Sequence, residues 1–111
     1  MEVAGKKVYY YETKNGTCPY VEWRNSLDIR TQSILAARIS RLKFGNLGHV
    51  SALGDGVHEL KIDFGPGYRI YFGNIHGELV IILTGGSKRH QNSDITAAKT
   101  YWKDWKVRVD S

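Results

Sequence analysis

Arg69 lies in an alternating run, Leu60-Lys61-Ile62-Asp63-Phe64-Gly65-Pro66-Gly67-Tyr68-Arg69-Ile70-Tyr71-Phe72, whose spacing suits the presentation of cations to a phosphate. An arginine fixed on a strand offers a planar fork that matches a pair of phosphate oxygens. Residues 60, 62 and 64 are apolar, and Tyr68, Ile70 and Phe72 answer them across Gly65-Pro66-Gly67. That period of two buries one face of a hairpin. The other face carries Lys61 and Asp63 opposite Arg69 and Tyr71. If residues 65–67 form the loop, Phe64 pairs with Tyr68 and Asp63 lies opposite Arg69. The plainer role of Arg69 is then half of a cross-strand ion pair worth ~0.2–1 kcal/mol.

A second basic element is Gly85-Gly86-Ser87-Lys88-Arg89-His90-Gln91. Small residues leaving a strand let backbone approach an anion, and Lys88, Arg89 and His90 add charge. The spacing of a Walker A loop is absent, and a solvated basic turn before a helix is the plainer reading. If the strand ending near residue 84 adjoins the hairpin, its carboxyl end brings this segment beside Arg69. Cations set around a phosphate stabilise charge developing in phosphoryl transfer, and His90 is of the residue type that most often serves as acid or base.

Several elements must position these groups. Residues 7–13 are rich in β-formers and predict a first strand. Thr17-Cys18-Pro19 opens a helix whose inward stripe is Tyr20, Trp23 and Leu27, by its hydroxyl and its proline at the first turn. Residues 28–31 predict a break, and a second helix spans about 32–43 with Leu35, Ile39 and Leu42 inward. Arg38 and Arg41 lie on another face of it, solvated or turned to nucleic acid. Glycine-rich 45–56 predicts an exposed loop. The hairpin follows over 57–73, then a last strand over 78–84 whose unbroken apolar run implies cover on both faces. Asn92-Ser93-Asp94 predicts the cap of a final helix, with Ile95, Ala98, Trp102 and Trp105 as its stripe. Trp102 and Trp105 read as core, with polar N–H edges that also suit a partner contact. The order is β-α-α-β-β-β-α, an α+β domain with a small antiparallel-rich sheet, an N-terminal helical hairpin and a C-terminal helix.

Composition bounds the rest. At 111 residues the chain fits one domain over 1–111, and 41% hydrophobic with 24% charged residues excludes a disordered chain. A formal charge of +5 favours a polyanionic partner. The single Cys18 excludes an internal disulfide and fits a reducing cytoplasm. No apolar run reaches signal-peptide or membrane-spanning length, so a soluble cytoplasmic protein is expected. His49, His58, His76 and His90 stand apart without metal-ligand spacing, and neither metal nor cofactor is expected.

The blocks Pro19-Tyr20-Val21-Glu22-Trp23, Arg41-Leu42 with Gly45-Asn46-Leu47-Gly48, Leu53 to Leu60, Phe64 to Arg69, and Gly85-Gly86-Ser87-Lys88 with Gln91 and Asp94-Ile95 occur in one order. Over about residues 8 to 106 the chain thereby resembles the HigB-type addiction module killer proteins, a branch of the RelE/ParE toxin superfamily. The resemblance implies a RelE-like fold and the toxin of a type II toxin–antitoxin pair. Its usual partner is a small helix-turn-helix antitoxin. RelE-like members are metal-independent endonucleases that cleave mRNA on the ribosome. By the same resemblance Arg69, Arg89 and Lys61 match cationic site residues, and Lys88 and Gln91 belong to the neighbouring block. Asp63 stands where such nucleases often carry a second strand lysine, and Asp94 or Ile95 stands near the place of their C-terminal tyrosine. His90 or His58 is then the substitute acid or base. The superfamily also contains ParE-like gyrase inhibitors, and a catalytically silent antitoxin-binding or co-repressor module stays open as a third reading.

Overall fold

The computed structural model describes residues 6–46 and 48–110; residues 1–5 and 111 of the expected domain, and Leu47 of the Gly45–Gly48 block, lie outside the described residues. The elements run β1 (Lys7–Tyr10), α1 (Pro19–Asn25), α2 (Ile29–Lys43), β2 (Val50–Gly54), β3 (Val57–Ile62), β4 (Tyr68–Ile75), β5 (Leu79–Ser87), a 3₁₀ turn (Lys88–His90) and α3 (Gln91–Val109). The strands form one five-stranded sheet in the order β1-β5-β4-β3-β2. Only β1 with β5 is parallel; the other pairs are antiparallel. The architecture is α+β, with the expected two early helices, antiparallel-rich sheet and C-terminal helix.

Strand alternation sorts the core into two layers. On one face Leu60, Ile62, Ile70, Phe72, Val80 and Ile82 meet Tyr20 of α1 and Leu35, Ile39 and Leu42 of α2. On the other, Val57, Tyr71, Ile81 and Leu83 meet Ala98 and Trp102 of α3. Cover on both sides of β5 is as its unbroken apolar run implied. The α3 layer is closed at its far end by Tyr11, whose hydroxyl donates to Asp104 Oδ2 at 2.6 Å. Burial and that acceptor push the Tyr11 phenol up to about 12.

Several boundaries differ from expectation. Residues 45–56 are not all loop: β2 pairs with β3, and Asp55-Gly56 turns between them with both φ angles positive. Asp-Gly is the dipeptide that a two-residue hairpin turn with left-handed centres favours. The second helix begins at Ile29 rather than 32, because Asp28 caps it by accepting from the Thr31 amide at 2.9 Å. Pro19 does open α1, but the N-cap is Cys18 and no hydroxyl caps it. The last strand runs on through Gly85 and Gly86 to Ser87, and the final helix is entered through the 3₁₀ turn, with His90 and not residues 92–94 at its cap.

Register matters most in the β3–β4 hairpin. Ile62 pairs with Tyr68 and Lys61 with Arg69, leaving residues 63–67 as the turn. Asp63 is therefore in the turn and does not face Arg69. The offset from the expected pairing is an even one, so every side chain keeps its face.

Trp102 occupies a notch made by missing side chains. A β-carbon on Gly73 would overlap its six-membered ring, and one on Gly56 would press its indole nitrogen. Gly73→Ala should cost about 1–3 kcal/mol through overpacking. A urea midpoint unchanged from wild type would contradict that fit.

Candidate functional site

The register places Glu59 and Lys61 of β3 beside Arg69 and Tyr71 of β4, all on the face that α3 covers. Lys61 directly opposes Arg69, a pairing that repels. Glu59, one alternate position away, resolves it: its Oε1 forms a buried ion pair with Arg69 Nε. The contact is ionic, and Arg69 Nε has no hydrogen-bond partner among the described residues. Arg69 is only 7% exposed and Glu59 8%, whereas Lys61 is left in solvent. The partner of Arg69 is thus Glu59 and not Asp63.

β5 completes the site through a bulge. Tyr71 pairs with Thr84 and Phe72 with Ile82, so Leu83 is the extra residue. Beyond that bulge Ile70 opposes Gly85 and Arg69 opposes Gly86. Gly85 then faces Trp23 of α1, and Gly86 faces Asp94 of α3; a β-carbon on either would overlap those side chains. Asp94 Oδ2 and the Tyr71 hydroxyl are both buried without a hydrogen-bond partner among the described residues. Burial raises the Asp94 carboxyl above the usual aspartate range, with the charge of His90 one turn earlier opposing. Burial also raises the Tyr71 phenol, reinforced by the Glu59 and Asp94 carboxylates and opposed by Arg69.

Lys88, Arg89 and His90 form an exposed rim above this cluster. The Lys88 amide donates to the Gly67 carbonyl at 2.9 Å, which joins the 3₁₀ turn to the β3–β4 turn. Gln91 Nε2 donates to Glu59 Oε1 at 3.0 Å, which joins the start of α3 to the ion pair. A cleft of about 370 Å³ opens between residues 88 and 93. The carboxyl end of β5 thus brings the basic segment beside Arg69, as its adjacency to the hairpin required. An anion entering here meets Lys88 and Arg89 first, and Arg69 lies below them as a compensated charge.

The other sequence-selected residues are elsewhere. Arg38 and Arg41 are on α2, across the sheet from α3, and Arg38 Nη2 donates to the Lys61 carbonyl at 3.4 Å. Trp102 is 2% exposed, which gives it a core role and no free surface for a partner; Trp105 is partly buried and stacks on it at 5.1 Å. His58 stacks on Phe72 at 5.4 Å, far along the strand from the rim. Sequence reasoning missed Glu59, Tyr71 and Asp94 as one buried polar set. The available signal was a carboxylate on the same alternating face as Val57 and Tyr71.

Removing one member of a buried ion pair strands the other. Glu59→Ala should cost about 3–5 kcal/mol, while Glu59→Leu with Arg69→Met should recover most of that loss in urea unfolding. Equal losses for both variants would show that the pair is not the source. Asp94 gives a pH test. Its folded carboxyl lies above the unfolded value, so its favourable contribution is complete below about pH 4 and is lost as pH rises through the folded pKa. Asp94→Asn should therefore stabilise the protein at neutral pH, with the gain vanishing in acid. A pH-independent difference in melting temperature would contradict this.

No family model matches the chain. It is 45% identical over 84 residues to an uncharacterized protein of Haemophilus influenzae, a match covering 75% of this chain and 85% of that one. With that identity spread over most of both chains, this protein belongs to the same family as the Haemophilus influenzae protein.

Proposed function

We propose that this protein is the toxin of a type II toxin–antitoxin pair with a RelE-like fold. In this reading it is a metal-independent endonuclease that cleaves mRNA on the ribosome, in the cytoplasm, and is held in check by a helix-turn-helix antitoxin. The observation that carries the reading is the junction of two separately encoded basic elements. Arg69 of β4, with Lys61 opposite it on β3, flanks the carboxyl end of β5 that leads into Lys88, Arg89 and His90, and the Lys88–Gly67 hydrogen bond ties the two turns together. The block resemblance over residues 8 to 106 supplies the reaction class.

In that reaction the ribose 2′-oxygen attacks the adjacent phosphorus while the phosphorus–O5′ bond breaks. The 2′-hydroxyl proton passes to a base, and O5′ takes a proton as it leaves. The products are a 2′,3′-cyclic phosphate and a 5′-hydroxyl. Lys61, Lys88 and Arg89 are exposed and serve as the phosphate-facing cations. His90, also exposed at the cleft, is the proton carrier. Arg69, neutralised by Glu59, supports the strand beneath these groups and does not face the phosphate itself.

The Glu59–Arg69 pair also favours a second reading, a catalytically silent module that binds an antitoxin, because it compensates the arginine best matched to the family site. Controlled expression separates the two readings. Wild type should produce codon-phased mRNA 5′ ends during translation, and Arg89→Ala should reduce them by roughly 10²-fold or more, the scale of one lost charge-stabilising donor. Arg89 is the better probe than Arg69 because its exposure spares the core. Intact mRNA with toxicity preserved overturns the nuclease, and blocked supercoiling would then identify a gyrase inhibitor. A chain without any effect on growth leaves the silent module.

A further inference from the structure

A second basic feature lies on α3, away from the 88–93 cleft. Lys99, Lys103 and Lys106 are spaced i, i+4 and i+7, which aligns them on one helix face. They border a groove of about 450 Å³ against Asp55 of the β2–β3 turn, with Trp102 beneath. Asp55 is the only carboxylate they reach among the described residues: its Oδ2 stands 3.6 Å from Lys99 Nζ. Lys103 and Lys106 form no ion pair among the described residues. Lys106 Nζ instead lies 5.6 Å from the centre of the Trp102 ring. The nearest helical acid, Asp104, is turned to the other flank, where Tyr11 and Arg108 hold it.

Three aligned ammonium groups with one carboxylate between them repel one another unless an anion intervenes. Their seven-residue span covers roughly 10 Å of helix. In a duplex the phosphates of one strand advance about 3.4 Å each along the helix axis and stand farther apart along the backbone itself, so the stripe is long enough to meet roughly two or three of them. Trp102 is 2% exposed and offers no stacking face to a base, and lysines act as point charges without base-edge geometry. We infer that the groove between α3 and the β2–β3 turn binds a nucleic-acid phosphodiester backbone without reading its sequence. This site is separate from the rim at Lys88–His90 and stands whether or not that rim cleaves RNA.

The test is fluorescence anisotropy of the full chain with a labelled 20-nucleotide single strand, made as DNA and as RNA of one sequence, across a salt series. DNA lacks the 2′-hydroxyl and reports binding without cleavage. Lys99→Gln/Lys103→Gln/Lys106→Gln should weaken binding roughly 100-fold at 0.1 M salt and flatten the log–log salt slope by about 2, at ~0.7 per lost contact. Asp55→Asn supplies a variant whose effect cannot come from misfolding. Asn-Gly suits the same turn, in which residue 55 has φ 57°, and the change frees Lys99. It should tighten binding two- to fivefold, the scale of one exposed ion pair. A lysine-dependent preference for RNA or for DNA supports the groove and names its source. The inference is overturned if the triple variant, folded by circular dichroism, keeps wild-type affinity and slope, or if Asp55→Asn weakens binding. It is equally overturned if Lys88→Gln/Arg89→Gln removes all binding by itself, or if only a polyglutamate probe occupies the groove.

Discussion

Two helices approach the carboxyl end of β5 from opposite sides, and the site exists because β5 admits both. A regular strand would keep alternating, and the bulge at Leu83 resets that alternation between Tyr71 and Phe72 of β4. After it, Gly85 turns to Trp23 and Gly86 turns to Asp94, each where a β-carbon would collide. With larger residues at either position, α1 or α3 would have to back away from the sheet. Separation of α3 would break the Gln91–Glu59 hydrogen bond and open the ion pair beneath it. Strand irregularity, glycine placement and the seating of the basic rim are therefore one constraint.

That seating encloses a polar cluster whose electrostatics are unfavourable in parts. Glu59 and Arg69 neutralise each other, but Asp94 and Tyr71 each bury an oxygen that nothing in the described residues satisfies. A buried unsatisfied polar atom costs about 1–3 kcal/mol, so the arrangement is not what stability alone would select. The adjacency of Asp94 to the exposed His90 places the raised carboxyl at the boundary between core and cleft.

Much of the scaffold was legible from alternation alone. The inward set Leu60, Ile62, Ile70 and Phe72, the two-sided burial of β5 and the stripe on α3 follow directly from side-chain periodicity. Face survived where register did not: a shift of even parity moved Asp63 into the turn without moving Lys61 or Arg69 to the other side. The turn itself depends on backbone angles at Gly65 and Gly67, which residue type permits but does not dictate. β2 was hidden because glycine content outweighed the Asp55-Gly56 signal. The Glu59–Arg69–Gln91 contacts join three elements far apart in sequence, so no local pattern announces them.

The position of α3 gives the protein's charge its form. Gln91 pins its start to Glu59, Trp102 fills the Gly56–Gly73 notch at its middle, and Asp104 with Arg108 fastens its far turns to Tyr11 and Glu12. A helix held at three points is a fixed spacer. From Gln91 to Lys103 it spans roughly 18 Å at 1.5 Å per residue. The screening length at physiological salt is about 8 Å, so the rim at Lys88–His90 and the lysine stripe hardly influence each other through solvent. The net charge of +5 does not make one diffuse positive surface. The Lys88–His90 rim and the lysine stripe are two separate concentrations of that charge, while the strand arginine, Arg69, is withdrawn from the outer field by Glu59.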